Sequence, residues 1–240
     1  MKKLYKVALA AGTVKAVSGG VWAYVKCVRP WQMHWGATEE EAARQLPYDE
    51  IVADPTWNAT RALTVRARPG QIWPFLVQIG WGRAGWYGYD LVDNGGRPST
   101  WDVLPEHQHL EVGTEFPMSP YTAMVCADFE ENRWMLWRGK GAGVSAGTWV
   151  WYLDPIDDFH TRLITRMRDH YDWRKPFIAV QIATELGDLP FMRKCMLGVK
   201  ERAERLAALQ ANPEPGESAG ATDGAAGETA ESAGVPADRT

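Results

Sequence analysis

From Thr60 to Ala67 the chain alternates, with Ala62, Thr64 and Arg66 on one side and Leu63, Val65 and Ala67 on the other. That period of two predicts a half-buried strand. Pro69 ends it and suits the first turn of a helix, where its missing N–H costs nothing. Ile72, Trp73, Leu76, Val77 and Ile79 then recur at helical spacing and share one broad apolar face. Gly80, Gly82 and Gly85 break the helix into a bend crowded with Trp81, Trp86, Tyr87 and Tyr89. A strand, a short helix and an aromatic bend in this order make a scaffold for a cavity. The stretch carries no nucleophile motif and no metal-ligand spacing.

Downstream, a loop-rich segment is expected to hold a short helix around Pro105 to His109 and a turn at Val112-Gly113 leading into a strand. From Tyr121 the pattern is β: two hairpins, one turning at Glu130-Glu131-Asn132 and one at Pro155 to Asp158. In the last strand Leu163, Thr165 and Met167 share one face, and Arg162, Ile164, Arg166 and Arg168 share the other. Arginines so placed are expected to face solvent and pair with acids across the ladder, the sharper alternative being one turned inward onto an anionic group. Lys175 to about Gln210 reads as helix with a break at Gly187 to Pro190.

Upstream, Thr38 and Glu41 form a capping box, so a helix is expected from Glu39 to about Gln45. Residues 30–59 should wrap the main domain. Residues 1–29 have a basic start and an apolar run that resembles a signal or anchor segment. The balance is close to neutral: each Val or Leu contributes roughly −0.3 to −0.6 kcal/mol, whereas the central Lys15 costs about +2.5 to +3.5. A peripheral or weakly anchored helix and a true span are both open on these terms.

The chain has 240 residues, 45% of them hydrophobic and 23% charged, enough for one domain with a proper core plus accessories. Its net charge of −4 is unevenly placed: residues 211–240 hold six acids and one base, −5, which leaves residues 1–210 with 25 bases and 24 acids, +1. A near-neutral body offers no footprint for nucleic acid. The tail lacks Leu, Ile, Phe and every aromatic and is expected to be disordered. Cys27, Cys126 and Cys195 form no CxxC pattern, which argues against a disulfide framework or a zinc site and for a reducing, cytosolic setting. His107 and His109 lack a third ligand nearby, and the glycines at 139, 141, 143 and 147 do not make a phosphate fingerprint. No cofactor or metal is therefore expected.

The order of elements is that of the helix-grip fold, and the residues resemble the SRPBCC superfamily (START-like, polyketide-cyclase and lipid-transport relatives), in particular actinobacterial members. The resemblance is carried by Arg29-Pro30-Trp31, Trp35-Gly36-Ala37-Thr38, Ile72 to Gln78, the bend Gly82 to Asp90, Pro105 to Gln108, Gly147-Thr148-Trp149 and Thr161-Arg162-Leu163. Gly88 stands where a serine is usual, and Thr114 where an aspartate often follows the turn. The resemblance implies an α+β domain over residues 60–210, a curved antiparallel sheet gripping the C-terminal helix with a hydrophobic cavity between them. It also implies that the cavity binds lipids, polyketides or other apolar molecules, and that some relatives catalyse cyclisation or dehydration there.

An apolar small-molecule partner is the leading expectation, with Trp73, Trp86, Tyr87, Tyr89, Trp149 and Trp151 as walls and Gln78, Arg83 and Asp90 as polar points. Core packing is the bland alternative for each, and Asp90 has a second one, bracing the bend by pairing with Arg83. Period two puts Trp149 and Trp151 on one face without saying which. A cyclase or dehydrase would draw its acid or base from Tyr87, Tyr89, Asp90 or His107. The third class is a membrane-associated or partner-docking protein working through residues 1–29.

Overall fold

The computed structural model describes residue 19 and residues 22–140, 147–171 and 178–212. Most of the N-terminal segment expected as a possible anchor (1–18, 20 and 21 of residues 1–29), most of the glycine loop, and residues 213–240 of the tail expected to be disordered lie outside the described residues. Among those described, no helix is long and apolar enough to cross a membrane.

Six strands form one antiparallel sheet: β1 (Trp57–Val65), β2 (Glu115–Pro117), β3 (Ala123–Glu130), β4 (Trp134–Gly139), β5 (Thr148–Pro155) and β6 (Thr161–Asp169). Their order is β1-β6-β5-β4-β3-β2, so strands two to six meander and the first strand returns beside the last, with Leu63 opposite Leu163. A bulge between Cys126 and Asp128 bends β3. The helices are α1 (Arg29–Met33), entered through a π-turn at Tyr24–Val28, then α2 (Glu39–Ala43), α3 (Pro69–Val77), α4 (Asp90–Asp93) and the long α5 (Ile178–Ala211). Helix α5 packs on β1 and α3 and closes the inner face of the sheet. This is the α+β helix-grip architecture.

The expected capping box is present: Glu41 N donates to Thr38 Oγ1, and Thr38 N to a Glu41 carboxylate oxygen. The helix it starts is shorter than expected, ending at Ala43. The region around Pro105 makes one 3-10 turn, Pro105–His107.

Two expectations are corrected. The break at Gly187 to Pro190 does not occur, because α5 runs through Pro190. An interior proline costs a helix about 3 kcal/mol. Here Leu189, Met192, Met196, Val199 and Ala203 form a buried stripe at alternating steps of three and four, and at roughly 1.5–3 kcal/mol for each large side chain that burial offsets the proline.

The second correction concerns the arginines of β6. They lie on the outer face, away from α5, but that face is covered by residues 29–54 and their acids come from this extension, not from the ladder. Arg166 is 2% exposed; it pairs with Asp49 at 2.5 Å and donates to the carbonyls of Glu41, Ala42 and Arg44. Those carbonyls are orphans at the C-terminal end of α2, where a cation is favoured. Arg162 makes a bidentate pair with Glu41 at 2.7 and 2.8 Å, and Arg168 donates twice to the Val52 carbonyl. The extension is thus held by charge-assisted hydrogen bonds to the sheet. Removing Arg166 would strand Asp49 without its closest partner, so Arg166→Ala is expected to destabilise the protein by about 3–5 kcal/mol in urea unfolding. A loss below about 1 kcal/mol, the worth of an ordinary exposed pair, would mean that this clamp does not hold the extension.

Candidate functional site

The facing of β5 is decided by what α5 covers. Trp149, Trp151 and Leu153 point to the inner face, with Met135 and Trp137 of β4 beside them and Leu163 of β6. Trp137 and Trp149 are register partners, as are Met135 and Trp151. The indoles therefore crowd together: Trp137 lies 5.0 Å from Trp149 and 5.9 Å from Trp151, and Phe116 stacks on Trp137 at 4.1 Å. Trp86, delivered by the bend, stacks on Trp149 at 6.0 Å and 17°. Much of the space beneath the helix is filled by these rings.

A hollow of about 210 Å³ remains at one edge of this plug. The sheet and bend contribute Trp86, Met118, Trp149 and Met167, α4 contributes Asp93, and α5 contributes Asp188, Phe191, Met192 and Cys195. Phe191, one of its lining residues, is 39% exposed and meets the half-exposed Tyr89 edge-on at 5.5 Å. The wall is apolar apart from two carboxylates and one thiol.

Those groups are perturbed by burial. Asp188 faces the fully buried Arg61 of β1 at 2.5 Å, close enough to pair as ions but not aligned as a hydrogen bond. Burial still holds its carboxyl above the usual range, against the pull of Arg61. Burial also raises Asp93, helped by the like charge of Asp90. The Cys195 thiol is pushed far up by burial, so it stays protonated and is a poor nucleophile.

One turn before Asp188, Glu185 anchors the N-terminal extension. It accepts from Arg29 at 2.6 and 3.1 Å, from the Tyr171 hydroxyl at 2.7 Å and from the Tyr24 hydroxyl at 3.0 Å, while the Gln32 amide donates to its backbone carbonyl. Burial pushes the Glu185 carboxyl up, but the Arg29 and Tyr171 hydrogen bonds outweigh it and hold the group below its ordinary value.

Of the residues singled out by sequence, Trp86 and Trp149 line the hollow, and Tyr89 does not line it but touches Phe191, which does. Trp151 lies deeper in the plug, and Trp73 packs against Phe129 at 6.5 Å. Gln78 ties down the following loop, donating to the Asp102 carbonyl and accepting from Leu104 N and Gln108. Arg83 donates to the carbonyls of Val77 and Glu115. Asp90 braces the bend through Ser99, with Oδ1 2.5 Å from the hydroxyl and Oδ2 accepting from the amide, and not through Arg83. The Tyr87 hydroxyl donates to the Phe75 carbonyl. His107 sits on its separate 3-10 turn, and among the described residues no group of acids, histidines and cysteines could hold a metal ion.

Asp93 and the whole α5 contribution were not singled out by sequence. A signal existed: Asp188, Phe191, Met192 and Cys195 follow the i, i+3, i+4, i+7 spacing of one helix face, so an acid sits on an apolar stripe.

No family model matches the chain, and no curated protein does either. Solved structures do. A polyketide-cyclase-like protein of Corynebacterium glutamicum matches at 14% identity over 65% of this chain and 93% of its own, with a TM-score of 0.33. A Thermobifida fusca protein matches at 15% over 62% and 94%, with a TM-score of 0.38. A hypothetical protein of Helicobacter pylori matches at 13% over 70% and 99%, with a TM-score of 0.46. The chain has the helix-grip fold, an assignment that rests on its own strand order and closing helix.

A pH dependence follows from Glu185. Its folded pKa lies below the unfolded value of 4.5, so its contribution is whole above about pH 4.5 and is lost as pH falls through the lower folded pKa. Asp93 and Asp188, with raised pKa values, act in the opposite sense and cost stability as pH rises through theirs. Limited proteolysis should therefore release the N-terminal extension in acid before the sheet opens, and Glu185→Gln should release it already at pH 7. An extension in Glu185→Gln as protected as in the wild type would show that the anchor lies elsewhere.

Proposed function

We propose that this chain binds a compact apolar small molecule in the hollow between the sheet and α5. The observation that supports the reading is the hollow itself, walled by indole, thioether and benzyl groups and reaching the surface at Phe191. Sites for small molecules are mostly apolar with a few placed polar groups. Size narrows the class. A hollow of about 210 Å³ exceeds the cavity of about 150 Å³ that takes up benzene, and it falls below the roughly 300–1,000 Å³ of drug-sized sites. A one-ring guest fits, whereas a long acyl chain would have to displace Phe191 or Met192.

Catalysis has less support. The Tyr87 hydroxyl and both Asp90 oxygens are spent on the protein's own groups, and His107 does not line the hollow. Membrane docking through residues 1–29 rests on sequence pattern alone.

Trp86 and Trp149 make binding visible, so titration with toluene, naphthalene and palmitate should change tryptophan emission for the first two and not for the third. A guest at a hundredfold excess over Kd adds about 2.7 kcal/mol, which raises Tm by roughly 5–10 °C for a domain of this size. Met192→Trp, which fills the hollow, should abolish both effects in a folded protein. Unchanged emission and Tm with every ring-sized probe would end this reading.

A further inference from the structure

The hollow also has a charge, and it is one-sided. No lysine, arginine or histidine lines it among the described residues, while two carboxylates do. Asp188 has its counter-ion in Arg61. Asp93 has none. Its Oδ2 accepts from the Tyr89 amide at 2.6 Å, whereas its Oδ1 is buried without a hydrogen-bond partner. The charge that acts on it is the like charge of Asp90, whose own oxygens are taken up by Ser99. Asp93 thus lines the hollow as a carboxylate whose charge no basic side chain of that lining offsets.

The position of Asp93 is also cleared for it. A Cβ at residue 88 would come within 2.3 Å of Asp93 Oδ2, so Gly88 is what lets this carboxylate turn back onto the bend. The walls around it suit one kind of charge. Trp86 and Trp149 are stacked indoles whose π-systems attract cations, and Phe191 adds a third ring. Met118, Met167 and Met192 supply polarisable, adaptable surface. An anion would meet two carboxylates and no basic side chain. A neutral hydrocarbon would fill the space and leave the charge of Asp93 uncompensated.

We propose that the guest of this hollow is a compact organic cation, a one-ring alkyl- or aryl-ammonium, with its positive charge toward the Asp93 carboxylate and its apolar body against Trp86 and Trp149. The proposal rests on the binding reading above and specifies the chemical class of the ligand. Asp93 is the polar anchor, and Asp188, neutralised by Arg61, is part of the wall.

A matched pair of probes separates the two claims. Phenyltrimethylammonium and tert-butylbenzene have the same shape and differ in charge. Titrated into the full chain at pH 7 and followed by tryptophan emission and calorimetry, the cation should bind at least about tenfold more tightly than its neutral isostere, 1.4 kcal/mol. Asp93→Asn keeps an acceptor for the Tyr89 amide and removes the charge; it should bring the cation down to the affinity of the isostere, with folding checked by circular dichroism. If the wild type binds the isostere as tightly as the cation, or if Asp93→Asn keeps the cation's advantage, the charge proposal is overturned and apolar binding stands. If neither probe binds the wild type, both fall.

Discussion

Everything in this molecule hangs on how α5 is held across the inner face of the sheet. Two of its attachments flank the hollow. Toward its N-terminal end, Glu185 gathers Arg29, Tyr24 and Tyr171, and Asp188 faces Arg61 of β1. Further along, Gly198 lies against the Tyr87 backbone so closely that a Cβ there would come within 2.3 Å of its carbonyl oxygen. Arg202, one turn on, donates to the carbonyls of Ser99 and Thr100 with its guanidinium 4.3 Å from the rings of both Tyr87 and Trp101. The hollow lies along Asp188 to Cys195, next to the first of these attachments.

The two attachments differ in kind, and that bears on how a guest enters. The second is a close backbone approach reinforced by a cation over aromatic rings, and it does not titrate near neutrality. The first is a set of charges and hydroxyls that acid can undo, and it joins the closing helix to the N-terminal extension. That extension is fastened in turn to the outer face of the sheet through Arg162 and Arg166. Both faces of β6 are therefore committed, one to the aromatic plug and one to the wrapping segment. A change at the extension reaches the mouth of the hollow through a single turn of helix.

The proposed ligand follows from a mismatch between these parts. Along the bend, Gln78, Tyr87 and Asp90 each find partners within the chain. At the hollow, the Asp93 carboxylate meets no basic side chain among the described residues. An uncompensated charge at an apolar wall is costly, and a cationic guest would offset that cost.

Much of the architecture is legible in the residue pattern because it depends on local periodicity. Alternation in Thr60 to Ala67, the capping box at Thr38 and Glu41, and the hairpin turns each need only neighbours a few residues apart, and each is where the pattern puts it. What periodicity cannot do is choose a face. Trp149 and Trp151 share a side on any reading, but only the seat of α5 makes that side the inner one. Likewise the arginines of β6 look solvent-facing until residues 29–54 fold over them, and their acids lie more than a hundred residues away in sequence. Asp188 reads as part of a helix break until burial of its stripe outweighs Pro190. The sequence by itself determined the elements and their order, since these follow from short-range spacing. Only the tertiary structure decided which charges are paired, which rings fill the interior and where space is left over, because each of those depends on contacts that chain closure creates.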